Sequence, residues 1–367
     1  DLGSPLLTTP HLTTPHRRNV VFDLSRLRMP IVQAPMAGGP GSVALAVAVS
    51  RAGGLGTLAA GYKTPAQLAE QIAGVRAGTD APFGVNVFVP QEVPHPDTIA
   101  PYHAELSAVA ERREVTLPEP DQGDTDFWEE KIALLTESPV PVVSFTFGAP
   151  PSEAVEALRR AGSRVVVTVT TVAEAKEAEA LGVDALCVQG PEAGGHRGTF
   201  DPYAEPDPTP LAALLAAVAA GTRLPLIATG GLATGADIAG VLNAGATAAQ
   251  LGTAYLRTPE AGTHAAYQEA LTRPEFDTTV VTRAFSGRCA RGLRNRFIEE
   301  HDASAPVGYP LVNQLTKPLR AAAAAAGDAH GLSLWAGINY RKAERVPAGE
   351  LTERLWADAS AALHRDR

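Results

Sequence analysis

Cysteine is nearly absent from this chain of 367 residues: there are two, Cys187 and Cys289. One possible pair is no disulfide framework, so a reducing cytoplasm is the expected compartment. Aromatic residues make up only 5%, which leaves the core to Ala, Val and Leu within a hydrophobic content of 45%. No run of about 18 apolar residues offers a helical membrane span. Positive charge is also short, with 31 Lys and Arg against 40 Asp and Glu and a net charge of −9. Such a chain is a poor nucleic-acid binder unless its bases cluster. Arg283, Arg288, Arg291, Arg294 and Arg296 do cluster, enough for a small anion but not for a duplex. HExxH, CxxC and GxSxG are all missing, and the histidines are dispersed, so no metal site or serine-hydrolase elbow stands out.

What is present is a rhythm. Short apolar runs at 31–34, 55–59, 84–88, 142–146, 165–170, 185–188, 225–229 and 248–251 read as strands. Helical patterns near 42–52, 65–77, 98–115, 151–161, 172–181, 208–220, 235–244 and 260–272 follow them in turn. Eight strands, each followed by a helix, predict an α/β fold, a (β/α)8 TIM barrel; a doubly wound open sheet is the alternative. Residues 1–20, rich in Thr, Pro and His, read as a loose arm outside any site. The barrel is assigned to 21–257 and 319–367, and a smaller cap domain to 258–318. The acidic stretch 116–130 reads as an insertion beside the third helix, and 348–364 as a surface helix.

Chemistry-bearing residues sit where these strands end. Gly194-Gly195-His196-Arg197-Gly198 follows the sixth strand. Glycines permit close backbone approach, and His is readily poised as an acid or base. The competing reading is a His that merely caps a turn. The first strand runs into Ala34-Pro35-Met36, whose small residues leave room for a flat ligand. Asn86 interrupts a run of valines in the third strand, where Asn is disfavoured. It either ties two strands together or bonds a heteroaromatic ligand. Gln189 ends the sixth strand and offers both donor and acceptor. Gly230-Gly231 and Gly252-Thr253 follow the seventh and eighth strands, the usual place for a phosphate in barrels.

Several strings in order, PIVQAPMAGG (30–39), AGGLGTLAAG (52–61), FGVNVFVP (83–90), VQGPEAGGHRGTF (188–200), ATGGLATG (228–235), AAQLGTAYL (248–256) and TRAFSGRCARGLRN (282–295), resemble the nitronate monooxygenase (2-nitropropane dioxygenase) family, class I branch. The resemblance spans about residues 29–340 and implies a barrel with a smaller domain over a non-covalent FMN. It implies that Gly230, Gly231, Gly252 and Thr253 hold the phosphate. Ala34, Pro35 and Met36 would lie against the isoalloxazine, with Gly194 and Gly195 in the active-site loop and Asn86, Gln189 and Gln250 as polar contacts. His196 matches the family's active-site His, and Ser286, Arg288 and Tyr309 are weaker candidates for lining the substrate side. The implied reaction is oxidation of an alkyl nitronate by O2, through one-electron transfer to flavin, giving a carbonyl compound and nitrite. The implied partners are the nitronate and O2, with the protein a monomer or homodimer. Met36, Phe145, Phe147 and Tyr309 are expected to set substrate size. A flavin-dependent enoyl-[acyl-carrier-protein] reductase shares fold, flavin and a GGH loop and is the main alternative. A non-catalytic phosphate- or flavin-binding barrel is the alternative of another class.

Overall fold

Val, Leu, Ile and Ala fill the short runs because each strand is buried on both faces of a parallel sheet. In the computed structural model, which describes residues 22–365, all eight form. They are β1 (Ile31–Gln33), β2 (Gly56–Ala59), β3 (Phe83–Phe88), β4 (Val142–Thr146), β5 (Arg164–Val169), β6 (Ala185–Gln189), β8 (Leu226–Thr229) and β9 (Ala248–Leu251). The intervening β7 (Gly195–His196) joins β10 (Thr279–Thr282) and β11 (Ala290–Leu293) in a separate antiparallel sheet, ordered β10-β11-β7. The large sheet runs β1-β9-β8-β6-β5-β4-β3-β2, and every pairing in it is parallel. Its two edges meet at a parallel bridge between Val32 and Leu55. There the Gln33 N–H donates to Leu55 O at 2.9 Å and the Leu55 N–H to Ile31 O at 2.9 Å. The sheet is therefore a barrel, and the open-sheet alternative falls.

Alternation along the strands separates two apolar layers. Ile31, Val143, Val165 and Leu186 face the surrounding helices, while Val32, Leu55, Val142, Val166, Cys187 and Ile227 fill the interior. Phe22, Leu24 and Leu27 pack on that interior from the side where β5 begins, since Arg164 Nε donates to Phe22 O at 2.9 Å. The expected helices form at α1 (Val43–Ala52), α2 (Pro65–Gly78), α5 (Ser152–Ala161), α6 (Val172–Ala180), α7 (Leu211–Gly221) and α8 (Gly235–Asn243).

Two expected helix positions are filled by other segments. α3 (Ala100–Arg112) forms, but its buried stripe of Tyr102, Leu106, Val109 and Ala110 packs on Phe285, Leu311, Val312 and Leu315 instead of the barrel. The Tyr102 hydroxyl donates to Ala284 O at 2.7 Å. α4 (Trp128–Glu137), which begins inside the expected insertion, covers the barrel there with Trp128 and Leu135. After β9, only a short α9 (Ala265–Ala270) forms within 260–272. The place of the eighth barrel helix is taken by α12 (Ala348–Arg365), whose Leu351, Leu355 and Ala359 join the main core against α8 and α1. The expected surface helix is thus a barrel helix.

Between β9 and α12 the chain makes a long excursion over the strand ends, carrying α9, β10, β11, α10 (Arg296–His301) and α11 (Leu311–Ala325). It has two apolar clusters of its own, one around Phe285, Phe297 and Leu315, the other around Tyr267, Phe276, Leu293 and Leu334. The expected N-terminal arm, residues 1–20, lies outside the described residues. Among the described residues no helix is long and apolar enough to cross a membrane.

Gly56 marks the tightest contact between a helix and the barrel, because a Cβ there would collide with the backbone of Ala46 in α1. Gly56→Ala is expected to destabilise the protein by about 1–3 kcal/mol through overpacking. A urea-unfolding midpoint equal to that of the unsubstituted protein would show that α1 can move outward freely.

Candidate active site

The C-terminal ends of the barrel strands open into one cavity of about 1250 Å³. Ala34, Pro35 and Met36 line it from β1, Asn86 from β3, and Gln189, Gly194, Gly195 and His196 from the β6 side. Gly230 and Gly231 line it after β8, with Gln250, Gly252 and Thr253 at β9. Thirteen positions scattered between residues 34 and 253 are thereby brought to a common surface.

The His loop is held from both sides. Gly195 has φ +78°, a left-handed turn that suits glycine, and leads His196 into pairing with Ala290 of β11. Gly194 has no room for a side chain, since a Cβ would lie 2.5 Å from the Gly337 nitrogen. Below the loop, Gln189 Nε2 donates to His196 O at 3.0 Å, and its Oε1 accepts from the Gly198 N–H at 2.8 Å. The Gln189 amide therefore braces the loop as well as facing the cavity. Asn86 Nδ2 donates to Ser144 Oγ at 3.0 Å and to Thr146 Oγ1 at 3.1 Å, so its amide nitrogen ties β3 to β4.

His196 Nε2 lies 2.8 Å from Ser286 Oγ, which donates to Arg288 O at 3.2 Å. With the serine proton on that carbonyl, the imidazole donates through Nε2 and keeps a lone pair on Nδ1. No hydrogen bond within the described residues uses Nδ1. Phe147 and Trp335 stand with ring centres 5.5 Å from the imidazole, and Tyr309 stands at 6.1 Å. Burial, reinforced by the positive charges of Arg288 and Arg320, lowers the His196 pKa to about 3. At neutral pH the ring is uncharged.

The glycine loops line the same cavity beside the His loop, where a Cβ on Gly230 would lie 3.2 Å from the Ala193 nitrogen. Gly230 and Gly231 have φ +128° and +69°. Asn339 Nδ2 donates to Gly231 O at 2.6 Å, and Thr253 Oγ1 accepts from the Gly337 N–H at 3.0 Å. Among the described residues, no hydrogen bond engages the backbone N–H of Gly231, Gly252 or Thr253. Gly252 sits against the β1 turn, where a Cβ would come 3.3 Å from that of Ala34. Gln250 and Thr168 hydrogen-bond the buried Cys187 thiol, whose pKa burial pushes up to about 12, so it is no nucleophile.

Three expected residues stand behind this surface. Ser286 contacts His196 without lining the cavity. Arg288 is buried, lies 4.2 Å above the Phe147 ring and donates to Thr199 O, to Thr199 Oγ1 at 3.2 Å and to Arg197 O at 3.4 Å. Tyr309, joined to Pro310 by a cis peptide, packs its ring 5.4 Å from Phe147. Phe145, expected at the mouth, points outward onto Trp128 at 5.6 Å because it alternates with Phe147's neighbours along β4. Tyr62, Arg320, Trp335 and Asn339 also line the cavity and were not anticipated. Among the described residues no group of His, Cys, Asp or Glu could hold a metal ion.

A closed barrel with a large pocket at its strand ends, an uncharged histidine on one wall and bare glycine amides on another defines an α/β-barrel enzyme of the ligand-binding-loop type. The sequence model for nitronate monooxygenase matches residues 20–358. A nitronate monooxygenase of Pseudomonas aeruginosa is 40% identical over 344 residues, 90% of this chain and 95% of its own. The crystal structure of a nitroalkane oxidase from Streptomyces ansochromogenes superposes with a TM-score of 0.91 at 49% identity, covering 94% of this chain and 99% of that one. FabK from Thermotoga maritima superposes with a TM-score of 0.74 at 27% identity, covering 95% and 98%. The chain belongs to the nitronate monooxygenase family, and it is an oxidoreductase of nitronate oxidation.

Because the native pKa of His196 lies below its ordinary value of 6.5, the unfolded chain takes up a proton first as pH falls. The stability contributed by the neutral ring is complete above about pH 6.5 and is lost progressively below it. Urea midpoints measured between about pH 7 and about pH 4 should fall less steeply in His196→Asn than in the unsubstituted protein. Parallel curves would show that the imidazole titrates normally in the fold.

Proposed function

We propose that the cavity holds FMN and that the protein oxidises alkyl nitronates with O2 to a carbonyl compound and nitrite. The observation that carries this reading is that His196, held by Ser286, and backbone amides of the glycine loops left without a partner among the described residues line one cavity. The residues present fit the cofactor. Gly230, Gly231, Gly252 and Thr253 would receive its phosphate on backbone N–H groups that have no partner among the described residues. Ala34, Pro35 and Met36 offer a small-residue wall for a flat ring, with Asn86, Gln189 and Gln250 along the same surface. Gly194 and Gly195 carry the loop past it. Bound FMN supplies the electron transfer and the O2 chemistry.

The chain's own residues handle the proton and the surroundings. A neutral His196 can take the α-proton of a nitroalkane on Nδ1, while Ser286 holds Nε2 in the donating tautomer. A preformed nitronate has no such proton to give, so it needs His196 less. Phe147 and Trp335 wall the imidazole and keep water from competing for the proton.

Two measurements test the reading. Anaerobic mixing of the FMN-loaded protein with a preformed alkyl nitronate is expected to change the flavin absorbance, with little or no response to NADPH or NADH. Rapid, complete bleaching by a nicotinamide would instead establish the enoyl-reductase chemistry, and protein purified without any flavin spectrum would leave only the barrel. In His196→Asn, FMN should stay bound while turnover of neutral nitroalkanes drops by about 100-fold or more, the ordinary worth of a general base. Turnover of preformed nitronates should drop far less; equal losses would remove the base role.

A further inference from the structure

Three cations line the cavity without a role above: Lys63, whose ammonium bonds the Ala59 carbonyl, the exposed Lys317, and Arg320. Arg320 lies on α11, and its side chain runs back along the helix to donate from Nη2 to Asn313 O at 3.0 Å and to Asn313 Oδ1 at 2.7 Å. Its Nε is buried with no hydrogen-bond partner, and Nη1 bonds to nothing in the described chain. No carboxylate among the described residues lies within ion-pair distance of it. Other enclosed cations differ. Lys131 is paired with Asp126 at 2.8 Å, and the guanidinium of Arg288 is occupied by carbonyl oxygens and the Phe147 ring. Tyr62 lies on the same cavity wall, and its buried hydroxyl also lacks a partner. Tyr62 and Tyr309 influence each other's ionisation without making a well-formed hydrogen bond.

Arg320 is half-buried, and a guanidinium withdrawn even in part from water is costly unless an anion or a full set of acceptors answers it. Here the unanswered donors border the space that His196 also borders. We propose that Arg320, with the Tyr62 hydroxyl beside it, binds the nitronate group of the substrate through charge-assisted hydrogen bonds to its oxygens. This rests on the proposed function and deepens it by assigning the substrate-anion site. It also explains how a proton can reach an imidazole surrounded by cations. As the substrate C–H bond breaks, the proton goes to His196 Nδ1 and the electron pair passes onto the nitro oxygens. The charge of Arg320 opposes an imidazolium alone, but it attracts the nitronate formed in the same step. Arg320 therefore selects anionic nitronates over neutral nitroalkanes in the ground state.

The test compares FMN-loaded Arg320→Met and Arg320→Lys with the unsubstituted protein. Arg320→Met is expected to raise KM for a preformed nitronate by about 10- to 100-fold, the loss of a hydrogen-bonded charge. Calorimetric affinity for nitrate, a planar anion with the same pair of oxygens, should fall in parallel, while KM for a neutral nitroalkane changes little. Arg320→Lys should recover part of both losses. An FMN-bound Arg320→Met with unchanged nitronate KM and unchanged nitrate affinity overturns the assignment. If Arg320→Met fails to retain FMN, Tyr62→Phe decides by the same two readings, a rise in KM supporting the site and no change overturning it. Unsubstituted protein that binds nitrate through Arg320 yet does not oxidise nitronates would keep the anion site and overturn the proposed function instead.

Discussion

The short pairing between β7 and β11 is the contact on which the active-site geometry depends. Two residues, Gly195 and His196, leave the barrel wall and add a strand to the excursion through Arg291 and Ala290. So short a strand is marginal alone. It persists because Arg197 N–H donates to Cys289 O at 2.8 Å, Arg291 Nε donates to Pro191 O at 2.9 Å and Gln189 braces it from the barrel side. The same strand β11 positions the neighbours of the imidazole. Ser286 precedes it by a tight turn, and Trp335 is bridged to Gly292. Barrel and excursion thus meet at His196.

The chemistry of His196 follows from its neighbours. Three aromatic rings and two arginines surround it, and neither arginine brings a carboxylate with it. The ring is therefore a weak base in isolation and a useful one only when an anion is formed beside it. Arg288 fixes the aromatic wall, whereas Arg320 lines the cavity with its Nε unpartnered, so two residues of the same type have different physical effects.

The strands were legible because each is a brief apolar run bounded by Gly, Pro or a polar turn, and all eight fall within about two residues of the expected limits. Helix identity was legible, but helix address was not. A stripe such as Tyr102, Leu106 and Val109 says that a face is buried without saying against what, so α3 was assigned to the barrel it leaves. α4 was hidden by the acids before it and by Lys131, a charged residue that the fold buries with Asp126. The glycine-bearing strand ends located the cavity well, since barrels collect ligands there. Arg320 gave no such signal. An arginine at the start of an alanine-rich helical run reads as solvated, and only the packing of α11 over the strand ends turns it inward.

The position of α12 has a consequence for how the protein is made. β1 through β9 are complete by Leu251, but the helix that covers β9 and β1 lies beyond residues 252–347. During synthesis the barrel must wait, with one flank of its wall exposed to water, while the whole excursion emerges and finds its own apolar partners. Closure is then a late, long-range event of the kind that slows folding. A nascent chain stalled inside the excursion would present the apolar backs of α8 and α1 to chaperones, and the pocket would gain its final shape only after the last turn of α12 had docked.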